Sequence, residues 1–382
     1  MLEIPLSGIK KIEEIAKSSN EFISLSQGSI KIGGIPQQIK QYVQELLSTD
    51  ITDYYESCWG IRPLREKLSE VLSATHGTPI SINQILPTHG CIGGLSLLYL
   101  TLLNPGDEVI IPEPAYPAYT LLAQAARSTP VYVSLSQAAV DGSHSWHLDI
   151  DKIKAATTPK TKIIIFSNPW NPLGIVVPPV VIKELLAWCE RNGIYLVIDE
   201  AYRDYAFTDT YRSSLALVNE SEWLISANTF SKNMAMSGWR IGYLVIPQHM
   251  NKALAGMQDA LLNCLNNTAQ FAAMYALQHP EFTQQFSATV RNNRDMTIAL
   301  LEPLISRNIL SLQMPQGGFF AFLKTDHPDA TDLCMSILHQ AKVALIPGKS
   351  FGPSGDSFLR LCYARDTAIL DEGISRIVKY FL

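Results

Sequence analysis

Charge is scarce in this chain. Only 17% of its 382 residues are Asp, Glu, Lys or Arg, the net charge is −5, and there is no basic run. That excludes a surface built for nucleic acid or an anionic membrane. It also implies extensive burial, in layers or in a subunit interface. Paired cysteines are missing. Cys58, Cys91, Cys189, Cys264, Cys334 and Cys362 are scattered with no C-x-x-C, the pattern of reduced thiols in a cytoplasmic protein, not of a disulfide framework or a zinc site. The one close histidine pair, His144 and His147, lies in a Gly/Ser-flanked stretch without a carboxylate or thiol pattern and reads as a solvated loop. No apolar run is long enough to span a bilayer, and the N-terminus mixes lysines and glutamates where a signal peptide is apolar. The glycine-rich turn at Gly90 lacks both the G-K-[ST] ending of a P-loop and the G-x-G-x-x-G spacing.

Hydrophobic residues are plentiful at 47%, enough for a large core. The length suggests two domains, or one large domain with an appendage. From Gln84 to Ile246 short apolar strands alternate with helical segments, which predicts an α/β domain with a mostly parallel sheet flanked by helices. Beyond Met250 come long helices rich in Leu, Ala, Asn and Gln, then strands around Phe319, Leu345 and Leu359, a smaller α+β domain. The expected division is 45–282 for the large domain, with 1–44 and 283–382 forming the small one.

Polar residues that break the apolar pattern gather at the predicted strand ends. Gly90-Cys91-Ile92 follows a strand and precedes a helix, the geometry in which free backbone N–H groups hold an anion. Tyr116 sits in a proline-stiffened loop and suits stacking on a flat ring. Asn171 lies in Asn168-Pro-Trp-Asn-Pro-Leu-Gly174, where proline fixes the backbone around a neutral donor. Asp199, Glu200 and Tyr202 end the strand Tyr195-Leu-Val-Ile-Asp-Glu-Ala-Tyr202. Lys232 stands alone among small hydroxyl residues, with no other charge between Glu222 and Arg240. Desolvation there favours a neutral, nucleophilic amine, while Thr229, Ser231 and Arg240 suit a phosphate. Residues at strand ends of an open α/β sheet converge on one crevice.

Taken together these motifs resemble the class I/II aminotransferases of fold type I, which use pyridoxal 5′-phosphate. The resemblance spans nearly the whole chain. It also rests on Tyr55 with Gly60, Leu64-Arg-Glu66, Asn104-Pro-Gly-Asp107, Pro114-Ala-Tyr-Pro117, Gly238-Trp-Arg-Ile-Gly242 and Phe358-Leu-Arg360. It implies that Lys232 is the Schiff-base lysine and proton shuttle, and that Asp199 partners the pyridine nitrogen. It implies that Tyr116 stacks on the ring, and that Asn171 and Tyr202 contact the ring hydroxyl. Arg360 then clamps the substrate α-carboxylate, with Gly28 letting that carboxylate approach. Tyr55 is implied to reach the phosphate of a neighbouring subunit, which makes a homodimer with shared sites. The implied reaction moves an amino group between an amino acid and a 2-oxo acid by a ping-pong route.

Departures from the family pattern fall where substrate is chosen. Gly28-Ser-Ile-Lys-Ile-Gly-Gly34 replaces a Gly-x-Pro, Trp170 is bulky, and Cys91-Ile92 replaces a polar pair. The segments expected to line the side-chain pocket, Ile4 to Ile9, Gly28 to Ile35, Cys91-Ile92 and Trp170, are apolar apart from Lys31. That favours a neutral aliphatic or aromatic donor; the competing reading is aspartate, with Lys31 closing over its second carboxylate. Two other classes share the fold. A C–S lyase or cyclopropane-forming synthase would use the same lysine, and a regulator's effector domain would carry a helix-turn-helix ahead of this fold, whereas here the fold is expected to start within the first residues.

Overall fold

A computed structural model describes residues 3–140 and 143–382; the side chains of 138–144, His144 among them, lie outside the described set. The large sheet has seven strands: β1 (Ile85–Thr88), β2 (Glu108–Glu113), β3 (Thr129–Ser134), β4 (Thr161–Ser167), β5 (Tyr195–Asp199), β6 (Leu224–Thr229) and β7 (Gly242–Val245). Their order is β1-β7-β6-β5-β4-β2-β3. β7 runs antiparallel to both neighbours, and every pair from β6 to β3 is parallel.

Successive side chains of a strand face opposite ways, so a strand covered on both sides needs an unbroken apolar run. β4 shows the consequence. Ile163 and Ile165 join Val109, Val197 and Leu244 on one face, and Ile164 and Phe166 join Ile110, Leu196 and Ile198 on the other. The helices Gly90–Leu102 and Asn251–Leu262 cover the first face through Leu95, Leu98 and Leu254. Arg62–His76, Pro179–Asn192 and Asn267–Leu277 cover the second through Leu64, Leu68, Ile182 and Leu185. Each such fully buried side chain contributes about 1.5–3 kcal/mol.

The second sheet is antiparallel: β8 (Leu310–Ser311), β9 (Phe320–Thr325), β10 (Ile346–Pro347) and β11 (Phe358–Cys362), in the order β8-β9-β11-β10. The helices Pro280–Ile305, Ala330–Gln340 and Thr367–Phe381 pack on it through Val290, Leu301, Ile337 and Ile374. The N-terminal pair Ile23–Ser24 joins Val343–Ala344 in parallel. The chain then runs on beside β11, where Cys362 N–H donates to the Leu25 carbonyl at 2.8 Å and Lys31 N–H to that of Ala364 at 3.0 Å.

Two segments differ from the sequence-based expectation. The helix expected to follow Gly90-Cys91-Ile92 begins at Gly90, so its first turn contains the glycine-rich turn itself. The stretch around His147, expected to be a solvated loop, pairs as a hairpin, Ser136–Val140 with Ser143–His147. Trp146 explains this: it is buried with its ring centroid 5.6 Å from that of Phe358, and burying an aromatic ring outweighs the weak turn composition around it. Among the described residues no helix is long and apolar enough to cross a membrane, and no cluster of side chains could hold a metal ion.

Candidate active site

The carboxyl ends of β4, β5 and β6 deliver Ser167, Asp199 and Thr229 to a single cavity of about 730 Å³. The turn after β1 brings Cys91 and Ile92 to it, the loop after β2 brings Tyr116, and β11 brings Arg360 from the other sheet. Asn171, Tyr202, Ser231, Lys232, Arg240 and Gly28 complete the predicted residues on its wall. Gly90 lies just behind: a Cβ there would meet Arg240 Nη2 at 2.7 Å.

Lys232 follows a short cap in which Thr229 Oγ1 accepts the Ser231 N–H at 3.0 Å. Its carbonyl accepts from Tyr205 Oη at 2.8 Å, and its Nζ donates to the Gly28 carbonyl. Desolvation lowers its pKa to about 8; Asp199 and Cys362 oppose the shift, and Arg360 and Arg240 reinforce it. Asp199 is buried, and burial raises its pKa. Tyr119 Oη donates to its Oδ2 at 2.9 Å and Ala201 N–H to its Oδ1 at 3.0 Å, pulling the other way. A buried carboxylate so placed is suited to a cationic N–H partner.

Arg360 lies between the rings of Phe320 and Phe351, its Cζ 4.3 and 4.7 Å from their centroids. Nη1 donates to Asn171 Oδ1 at 3.0 Å and Nη2 to the Ser26 carbonyl. Nε is buried without a partner, and burial lowers the pKa to about 10. Such a guanidinium calls for an anion. Tyr202 is held edge-on by Phe319 and Phe320, at 5.0 and 5.4 Å, and its pKa is raised by burial. A Cβ at Gly28 would lie 2.8 Å from Phe320 and 3.4 Å from Tyr202 Oη, so only glycine fits that approach.

The structure corrects several expectations. Trp170 is 1% exposed, stacked on Phe166 at 5.3 Å, with Nε1 donating to the Pro114 carbonyl at 2.7 Å. It is core, because its indole N–H finds a backbone partner away from the cavity. Lys31 is exposed and off the cavity wall, turned away by the pairing of its backbone with Arg365. Lys10 of the helix Gly8–Ala16 does line the cavity, so Lys31 is not the cation there. The expectation that Tyr55 reaches a neighbouring subunit's site is not corrected: Tyr55 is 84% exposed and outside the cavity of its own chain. Sequence reasoning missed Tyr119 as Asp199's donor and Tyr205 as Lys232's backbone anchor. Only the Tyr-Pro-Ala-Tyr spacing hinted at the first.

The family model "Aminotransferase class I and II" matches residues 20–377. The chain belongs to the class I and II aminotransferases. An aspartate aminotransferase of Pyrococcus abyssi (strain GE5 / Orsay) is 29% identical over 98% of this chain and 95% of its own. The crystal structure of aspartate aminotransferase from Thermotoga maritima matches with a TM-score of 0.89 at 26% identity, covering 99% of this chain and 98% of that one. That of the aromatic aminotransferase from Pyrococcus horikoshii OT3 matches with a TM-score of 0.87 at 26% identity, over 98% of each. Class I and II aminotransferases depend on pyridoxal 5′-phosphate. The α/β fold expected from the strand–helix alternation, and the aminotransferase fold that the resemblance implied, are the ones observed.

Proposed function

We propose that this aminotransferase holds pyridoxal 5′-phosphate in the cavity and moves amino groups from neutral amino acids to a 2-oxo acid by a ping-pong route. The observation that carries the reading is the meeting of a depressed-pKa lysine, a buried carboxylate and a buried arginine at the wall of one cavity. The donor set fits the cofactor. The N-terminus of Gly90–Leu102, with Thr229, Ser231 and Arg240, suits the phosphate. Asp199 suits the pyridine N–H, Tyr116 the ring face, and Asn171 and Tyr202 the ring hydroxyl. When bound, the group supplies an electron sink for the electrons left at the substrate Cα. Lys232 Nζ carries the proton from that Cα, and Arg360 orients the substrate by its α-carboxylate, a bidentate task that suits arginine. In a homodimer Tyr55 would reach the partner's phosphate.

For the substrate side chain the cavity offers Leu6, Ile9, Ile92, Leu121 and Leu122. An adjoining chamber of about 450 Å³, with Lys349 and Asp356 on its own wall, shares Pro5, Leu6, Ser7, Pro117 and Leu121 with it. Burying an apolar side chain there gains about 1–3 kcal/mol, whereas an unpaired carboxylate costs several kcal/mol. One observation favours a second reading, aspartate as donor: Lys10 lines the same cavity. The deciding experiment compares kcat/KM for aspartate with leucine, methionine, phenylalanine and alanine. The proposal expects the neutral donors to lead; an advantage for aspartate that Lys10→Ala abolishes would replace it with the second reading.

A further inference from the structure

One stretch of backbone links the arginine, the lysine and the N-terminal arm. The carbonyls of Ser24 to Ser29 are all taken by side chains or backbone from elsewhere in the fold. Leu25 accepts from Cys362 N–H at 2.8 Å, Ser26 from Arg360 Nη2, and Gly28 from Lys232 Nζ. The other three go to one guanidinium: Arg365 Nε donates to Ser24 at 2.7 Å, Nη2 to Gln27 at 2.6 Å and Nη1 to Ser29 at 2.7 Å. From the other side Glu13 Oε1 accepts from the hydroxyls of Ser24 and Ser26. Glu13 and Arg365 are 2% and 1% exposed.

We infer that Arg365, together with Glu13, is a positioning residue for carboxylate capture, holding this strap so that Ser26 sets the pose of Arg360. The inference rests on the reading of Arg360 given above. Burying a guanidinium and a carboxylate is costly unless their hydrogen bonds are satisfied. Packing alone needs neither charge at these positions. What they supply is direction: five planar N–H donors fix three carbonyls at once, which a lysine ammonium matches poorly. With the strap fixed, Arg360 Nη2 is tied to Ser26 and Nη1 to Asn171, which sets the plane of the guanidinium at the cavity wall. Glu13 also belongs to the helix whose first turn places Ile9 and Lys10 on the cavity wall, so arm and arginine share one anchor.

The test uses the holoenzyme with Arg365→Met, Arg365→Lys and Glu13→Gln. It measures KM and kcat for the best donor of the panel, and the affinities of succinate and 4-methylpentanoate, acids without an amino group, by calorimetry. Arg365→Met should raise KM and weaken acid binding by about tenfold, with kcat changed far less, and Arg365→Lys should restore part of the loss. A lowered melting temperature with unchanged KM and acid affinity would mean a structural role only and overturn the inference. If Arg365→Met does not fold, Arg365→Lys and Glu13→Gln decide on the same two readouts. Arg360→Lys separates the layers. If it leaves acid affinity unchanged, the reading of Arg360 itself fails. If it weakens binding while the Arg365 and Glu13 variants do not, only the strap inference fails.

Discussion

At Lys232, loss of water weighs more than the carboxylate of Asp199. The ammonium is pulled from 10.5 to about 8 by burial, helped by Arg360 and Arg240 and resisted by Asp199 and Cys362. The neutral amine is the form that attacks an aldehyde. Capture of pyridoxal 5′-phosphate by the cofactor-free protein should therefore rise with pH and reach half its plateau near pH 8. Stopped-flow absorbance across a pH series checks this; a rate still climbing through pH 10 would mean a solvated lysine. Linkage gives the matching sign for stability. Between about pH 8 and 10.5 the unfolded chain binds more protons at this residue than the native one, so stability of the cofactor-free protein rises across that window. Asp199 and its donor Tyr119 give a graded pair. Asp199→Asn should slow the amino-acid half-reaction by about two orders of magnitude or more. Tyr119→Phe, which removes one hydrogen bond to the carboxylate, should slow it by about tenfold. Equal rates for both variants would separate Tyr119 from Asp199.

At the scale of elements, the site depends on how closely β7 approaches the turn after β1. A Cβ on Gly242 would meet the Asn228 carbonyl at 2.6 Å and Cys91 N at 2.8 Å, both backbone atoms that cannot step aside. Gly242→Ala should lower the melting temperature and weaken retention of the cofactor during dialysis; loss of neither would show that the turn has slack. The strands were legible in the sequence because each is a short, unbroken apolar run ended by a polar residue, as in Ile163 to Ser167 and Leu196 to Asp199. Their ends therefore gave the site. The antiparallel course of β7 was not legible, since direction leaves no trace in a four-residue apolar run. The strap was not legible either. Arg360 and Ser26 lie 334 positions apart, and nothing local to Arg365 or Glu13 marks them as partners of one backbone segment. Trp170 was misread as pocket lining because loop position suggested exposure, whereas its ring stacks on Phe166 of β4.

For the molecule as a whole, the two sheets meet at the cavity, and exposed apolar groups lie on the segment 51–55 and at the end of Asn251–Leu262, neighbouring segments joined by bonds from Asn267 to the Tyr54 carbonyl and from Gln258 to that of Cys58. Tyr54, Tyr55, Ile51, Leu261 and Leu262 are all exposed in the single chain. A homodimer that covers them would place Tyr55 beside a partner's phosphate site. Light scattering should then give twice the chain mass, and Tyr55→Phe should weaken cofactor affinity without dissociating the dimer. A monomer by scattering would remove Tyr55 from the site.

The central claim is amino transfer, and a single turnover without an acceptor tests it most directly. Purified holoenzyme is mixed with leucine and, separately, with cysteine, whose β-sulfur can leave, and the 2-oxo acid, ammonia and cofactor forms are quantified. The account predicts one 2-oxo acid per site, the amino group retained on the cofactor as pyridoxamine phosphate, no free ammonia, and loss of all turnover in Lys232→Ala. Release of ammonia, pyruvate and sulfide from cysteine with the cofactor returned unchanged, and no 2-oxo acid from leucine, would make the protein a C–S lyase on this fold and contradict the account.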